Sequence, residues 1–224
     1  MKRPTKTPRE RLRQARVAVY RQHILEAAEA VFAEKGFTAA SMQEIGRRAG
    51  VSMGTIYSVF RSKEEVLQAA LEARGAEILE LVRRAVSRPG PAAVAFLDLV
   101  RDYVQYFSAH PHFLRMHLRL GAAWMHSPEN GAGKRAAVWA EIQRSQAEVL
   151  ARGIQEGSFV DADPLLLARL FSAVHQTLLA NWVEQGMKLP AEQFVGEVER
   201  WVKRLLWREP VALATREVTS RQED

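Results

Sequence analysis

Apolar side chains recur at helical spacing from about residue 18 to residue 207, and no stretch alternates apolar with polar residues as a strand requires. A helix satisfies its own backbone hydrogen bonds. A chain of this kind therefore buries its apolar stripes only by stacking helix on helix. The pattern predicts an all-α protein of about nine helices. They are expected at 18–35, from Ser41, from Ser52, from Ser62 to the Pro89-Gly90-Pro91 stop, then at 92–109, 111–125, 133–156, 163–186 and 191–207. The breaks carry turn chemistry: Gly36, His110-Pro111, the Ser127–Gly133 loop, Gly157, Asp163-Pro164 and the run from Gly186 to Pro190.

Charge divides the chain unevenly. Residues 1–63 hold 13 Lys and Arg against 5 Glu, whereas the remainder holds 19 against 21 Asp and Glu. All of the net charge of +6 therefore sits in the first third, the footprint of a phosphate-binding head joined to a near-neutral body. Residues 1–17 are polar and contain Arg9, Arg11, Arg13 and Arg16, which suggests a flexible basic arm able to lengthen the first helix. The head is expected over 18–63, a helical body over 64–209 and a disordered polar tail over 210–224. The 224 residues include no cysteine, which excludes disulfides, zinc ribbons and thiol nucleophiles. No apolar run approaches a membrane span and the basic N-terminus lacks a signal-peptide core, so a cytoplasmic protein is expected.

The head contains the chain's most specific segment, SMQEIGRRAGVSMGTIYSVF at 41–60. Ser41 with Glu44 reads as a capping box, and Ile45 and Ala49 give a short helix its apolar stripe. Gly50 permits a tight turn, Val51 plugs the angle between helices, and Ser52 caps a second short helix. This is a helix-turn-helix pattern. In the second helix Ile56 and Phe60 face inward, leaving Met53, Gly54, Thr55, Tyr57 and Ser58 outward. That face is small or hydrogen-bonding, and it suits close approach of a helix N-terminus to a major groove. Ser62 with Glu65 reads as another capping box, which puts Lys63 in the first turn of the fourth helix.

The run from Ile24 to Leu67 resembles the N-terminal domain of the TetR family of bacterial transcriptional regulators. The residues that carry the likeness are Phe32, Gly36 and Phe37, then Ile45, Ala49-Gly50-Val51-Ser52 and Gly54-Thr55-Ile56-Tyr57, then Phe60, Lys63, Glu64 and Leu67. Two positions depart from the family pattern: Gly46 stands where alanine is usual, and Val59 where histidine or tyrosine is common. The resemblance implies phosphate contacts from Ser41, Tyr57 and Lys63, with groove contacts from Gln43, Ser52, Met53, Gly54, Thr55 and Ser58. Of the adjacent Arg47 and Arg48, one is expected to face phosphates and the other solvent. Arg47 is taken as the contact.

By the same resemblance the body encloses a small-molecule pocket and dimerises through its last two long helices. Stripes at Leu167, Leu170, Val174, Leu178 and Trp182, and at Phe194, Val198, Trp201, Val202 and Leu205, fit that role. The expected interface is Leu170, Val174, Leu178, Trp182, Val198, Trp201 and Leu205. Phe96, Tyr103, Met116, Leu120, Trp124, Trp139 and His175 are the candidate pocket residues. With few acids among them they suit a lipophilic, neutral or weakly anionic ligand. His110, His112 and His117 lack a carboxylate at ligand spacing and have Pro111 between the first two, so no metal site or cofactor is expected. The chain offers no phosphate-cradling Gly-rich loop, paired carboxylates or serine elbow, which argues against an enzyme. The expected partners are an inverted-repeat operator in double-stranded DNA, a small-molecule inducer and a second copy of the chain, and the expected action is repression.

Overall fold

A computed structural model describes residues 7–126 and 132–208, the side chains of 121–126 and 132–135 excepted. Among the described residues the protein is all helical: α1 (Pro8–Ala39), α2 (Met42–Arg48), α3 (Met53–Val59), α4 (Lys63–Val86), α5 (Ala92–Ala109), α6 (Pro111–His126), α7 (Ala132–Gln155), α8 (Pro164–Glu184) and α9 (Ala191–Leu206). Residues 127–131 of the expected loop and the 210–224 tail lie outside the described residues. Among the described residues no helix is long and apolar enough to cross a membrane.

The expected arm is corrected by its own local chemistry. Helix α1 starts at Pro8, well before residue 18, because Thr7 forms a complete capping box: its Oγ1 accepts from Glu10 N, and Glu10 Oε2 accepts from Thr7 N at 2.8 Å. Residues 7–19 are exposed, and burial begins at Ile24, so the basic segment projects from the fold as helix. Gly36, at φ 78°, interrupts α1 in the left-handed conformation that L side chains avoid, and turns the chain toward α2.

The three short-range caps at Ser41, Ser52 and Ser62 start α2, α3 and α4 as expected, each serine oxygen accepting the backbone N–H three residues on. Only half of each expected box forms. The Glu44 carboxylate pairs with Lys35, and Glu65 Oε2 accepts from Arg61 N at 2.6 Å, so neither returns to its own cap. Helix α4 runs from the head into the body, touching α1 at one end and packing on α5 and α7 along its length. Gly75 on α4 lets α7 come close, since a Cβ there would lie 3.3 Å from Val138 Cγ1. Helix α6 also packs directly on α1, so α4 and α6 both connect body to head.

Candidate nucleic-acid interface and ligand cavity

Ile45 and Ile56 are fully buried with Phe60, and they hold α2 and α3 against α1. Gly50, at φ 67°, makes the turn between them. What this packing leaves outward is Ser41, Gln43 and Arg47 around α2, and Ser52, Met53, Gly54, Tyr57 and Ser58 around α3. Tyr57 is 53% exposed, so its ring is not core. Arg48 is held by Glu34 of α1 at 2.7 Å, while the Arg47 side chain is 82% exposed. The local hydroxyls are already engaged: Ser52 Oγ lies 2.9 Å from Thr55 Oγ1, and Ser58 donates to Thr55 O at 2.7 Å. Thr55 is half-buried, so it braces the helix start more than it faces outward.

Lys63 departs from its expected phosphate contact. Its ammonium donates to Phe37 O, Thr38 O and Ala40 O at 2.9, 3.1 and 3.1 Å, and it sits 4.6 Å from the centre of the Phe37 ring. Three donors meet three carbonyls at the end of α1, where a cation is favoured. Lys63 thus fastens α4 to α1, leaving no N–H for a phosphate in this arrangement.

A partly buried charge network, which sequence spacing did not reveal, ties the head to the body. Arg74 on α4 donates to both oxygens of Glu29 on α1, at 2.7 and 3.0 Å, and to Glu77 at 2.9 Å. Tyr106 on α5 donates to Glu77 at 2.7 Å. Burial works against the Arg74 charge, but its two carboxylate partners outweigh that and raise its pKa above the ordinary value. Burial likewise opposes the Glu77 charge, and Tyr106 with Arg74 reverses the balance, holding its pKa low.

Beyond Tyr106, helices α5 to α8 surround a cavity of about 380 Å³. Tyr103, Trp139 and His175 line it as expected, together with Phe107, His117, Gln146 and Phe171, which were not anticipated. Phe96 is corrected to core, fully buried with its ring edge-on to Phe159 and Phe171 at 5.8 and 5.0 Å. Met116 and Leu120 line a separate recess with Phe32, Phe37 and Leu67 at the head–body junction. The Trp124 side chain lies outside the described residues. Gln146 donates to the Tyr103 hydroxyl at 2.8 Å, leaving its own carbonyl oxygen unpartnered, and His175 Nε2 is unpartnered too. Burial pushes His117 down to about 4, and burial with the nearby His117 pushes His175 down to about 3, so both imidazoles are neutral at pH 7. Among the described residues no three His, Asp or Glu side chains gather as a metal site would need.

The expected interface stripe straddles two faces of α8. Leu170 is exposed and Val174 and Leu178 are half-buried. Trp182, however, is buried against Phe194, ring centres 4.4 Å apart, and its Nε1 donates to Leu189 O at 2.9 Å. On α9 Trp201 is exposed and Leu205 half-buried, but Val198 is fully buried. Trp182 and Val198 therefore belong to the protomer's own core. Leu166, unanticipated and 50% exposed, extends the outward α8 face.

Comparison with known proteins agrees with this geometry. Residues 24–70 match the family model of bacterial regulatory proteins, tetR family. The chain is 25% identical over 186 residues to YhgD of Bacillus subtilis, an HTH-type transcriptional regulator that is itself uncharacterised. The match spans 80% of this chain and 92% of that one. The fold is similar to that of the transcriptional regulator FadR from Bacillus subtilis in complex with stearoyl-CoA (TM-score 0.69, 19% identity, 81% of this chain and 96% of that one). It is also similar to the SmeT–triclosan complex (TM-score 0.66, 20% identity, 85% and 92%), SmeT being the repressor of a Stenotrophomonas maltophilia multidrug efflux pump. The chain thus carries the tetR-family motif over residues 24–70 and is similar in fold, over most of its length, to solved transcriptional regulators.

Proposed function

We propose that this regulator is a cytoplasmic repressor that binds an inverted-repeat operator as a homodimer and is released by a lipophilic small molecule. The observation that carries the reading is the pairing of an outward, uncharged α3 face with a ring-lined cavity whose walls reach back to the head. Residues 18–63 serve as the DNA-binding domain and 64–209 as the ligand-binding and dimerisation domain. On α3 the outward Met53, Gly54 and Ser58 suit base edges, and Tyr57 with Ser41, Gln43 and Arg47 suits the flanking phosphates and groove. Arg9, Arg11, Arg13 and Arg16 project on the exposed start of α1, with no ion pair to any described residue, and add phosphate contacts.

Dimerisation through α8 and α9 is supported by exposed Leu166, Leu170 and Trp201, an apolar area costly to leave in water. FadR with stearoyl-CoA and SmeT with triclosan are precedents for lipophilic ligands in this fold. Ligand in the cavity would act on the head along α4, and along α6, which contributes His117 to the cavity and packs on α1. A ligand shifts such an equilibrium only through unequal affinity for the two states.

Footprinting on the DNA flanking the protein's own gene, with sedimentation of the wild type and of Leu170→Glu/Trp201→Glu, tests the reading. Protection of an inverted repeat by a wild-type dimer, and a monomeric variant without specific binding, is the expected result. A wild-type monomer that protects a single half-site tightly would overturn it.

A further inference from the structure

The cavity places its unmet hydrogen bonds around one tyrosine. Gln146 is 2% exposed and His175 5%, and both line the cavity. The Gln146 amide nitrogen is committed to the Tyr103 hydroxyl at 2.8 Å, so the end left without a partner is the carbonyl oxygen, a pure acceptor. The His175 ring lies 5.2 Å from the Tyr103 ring and stacks on Phe171 at 5.5 Å and 20°, with Nε2 unpartnered. Buried polar atoms are ordinarily satisfied, and these two find no partner among the described residues.

The rest of the wall narrows the chemistry. Phe107, Phe171 and Trp139 line it with aromatic carbon, which suits an apolar aromatic body. Among the described residues no Asp, Glu or Lys lines the cavity, and the one guanidinium among them that does, Arg169, is exposed. A cation would find no counter-charge. An anion seated deep would face two imidazoles that burial keeps neutral, and could enter only with a proton. An alkyl chain would leave the Gln146 oxygen and His175 Nε2 dry and unpaired, which is costlier than leaving them in water.

Taking the cavity as the regulator's ligand site, as proposed above, we infer that it selects an uncharged aromatic ligand bearing a hydroxyl group, which donates to Gln146 Oε1 and forms a second hydrogen bond with His175 Nε2. The hydroxyl gives its one proton to the amide oxygen and accepts from His175 Nε2–H, which requires the neutral imidazole tautomer that carries its proton on Nε2.

The test uses three probes of one shape, biphenyl, 4-hydroxybiphenyl and biphenyl-4-carboxylate, titrated into the full-length protein without DNA at pH 7.5 and followed by tryptophan fluorescence. 4-Hydroxybiphenyl should bind about tenfold to a hundredfold more tightly than either of the others. Its binding enthalpy should not change with the ionisation enthalpy of the buffer, because no proton is taken up. Gln146→Leu and His175→Phe should each reduce the preference over biphenyl while biphenyl itself binds no worse. If either variant fails to fold, the wild-type ranking and the buffer comparison decide alone. Equal affinity for biphenyl, tightest binding of the carboxylate, a preference that survives both substitutions, or no binding by any probe would overturn the inference. A phenol that binds with this ranking yet leaves operator affinity unchanged would count against ligand-driven release and leave the ligand class standing.

Discussion

Helix α3 and the cavity between α5 and α8 dispose of their polar atoms in opposite ways. On α3 the hydroxyls of Ser52, Thr55 and Ser58 are bonded within their own turns, and Lys63 just beyond spends its whole ammonium on α1 carbonyls. In the cavity, two deeply buried polar atoms have no protein partner. The polar atoms at the start of α3 and at Lys63 are thus satisfied within the head itself. The cavity instead holds back hydrogen-bonding capacity that a ligand can claim.

Creating an orphan in the satisfied region should have the largest effect. Arg74→Gln leaves Glu29 buried without its bidentate partner, and removing one member of such a pair costs about 3–5 kcal/mol. Urea unfolding should show that loss, with Glu29→Gln/Arg74→Gln recovering much of it. A change below about 0.5 kcal/mol would show the pair to be solvated and its tie between α1 and α4 dispensable.

The cavity side is sharpened by pH. His117 and His175 have folded pKa values below the unfolded one, so the unfolded state binds more protons as pH falls through 6.5, and stability must fall with it. Between pH 6.5 and 5 each histidine approaches a slope of about 1.4 kcal/mol per pH unit, while above pH 7 neither contributes. Denaturant midpoints across that window should drop for the wild type and drop less for His175→Phe. An unchanged slope would mean that water reaches the ring.

Smaller effects belong to the head's local geometry. Ser52→Ala removes the α3 cap and should cost about 1 kcal/mol. Gly46→Ala should do the reverse, gaining about 0.5–1 kcal/mol in thermal unfolding, because a Cβ there meets only ordinary contacts, the nearest being Val51 O at 3.5 Å. A destabilised Gly46→Ala would mean that α2 and α3 are packed more tightly than these distances indicate.

What the sequence disclosed follows the same division. Helix starts are local events, so Ser41, Ser52, Ser62 and the Gly50 turn could be read directly, and the outward α3 residues followed from the burial of Ile56 and Phe60. The failures involve a partner far along the chain. Glu44 prefers Lys35 to its own cap, and Lys63 finds carbonyls more than twenty residues earlier. Phe96 and Phe107 are both buried aromatics of α5, yet of the two only Phe107 lines the cavity, while Phe96 packs against Phe159 and Phe171. Periodicity marks a buried face and says nothing of whether that face meets a neighbour or a space. Trp182 and Leu170 on α8 differ in the same respect, one inward and one outward.

The central claim is that cavity and reading helix are coupled, and reciprocity tests it most directly. The compound that most raises Tm in a screen of lipophilic molecules should be titrated by calorimetry into the free protein and into the protein saturated with its footprinted operator. Coupling of about 1.4–2.7 kcal/mol predicts binding tenfold to a hundredfold weaker in the presence of operator, with an equal loss of operator affinity when the compound is bound. Equal affinity in the two titrations would contradict the account.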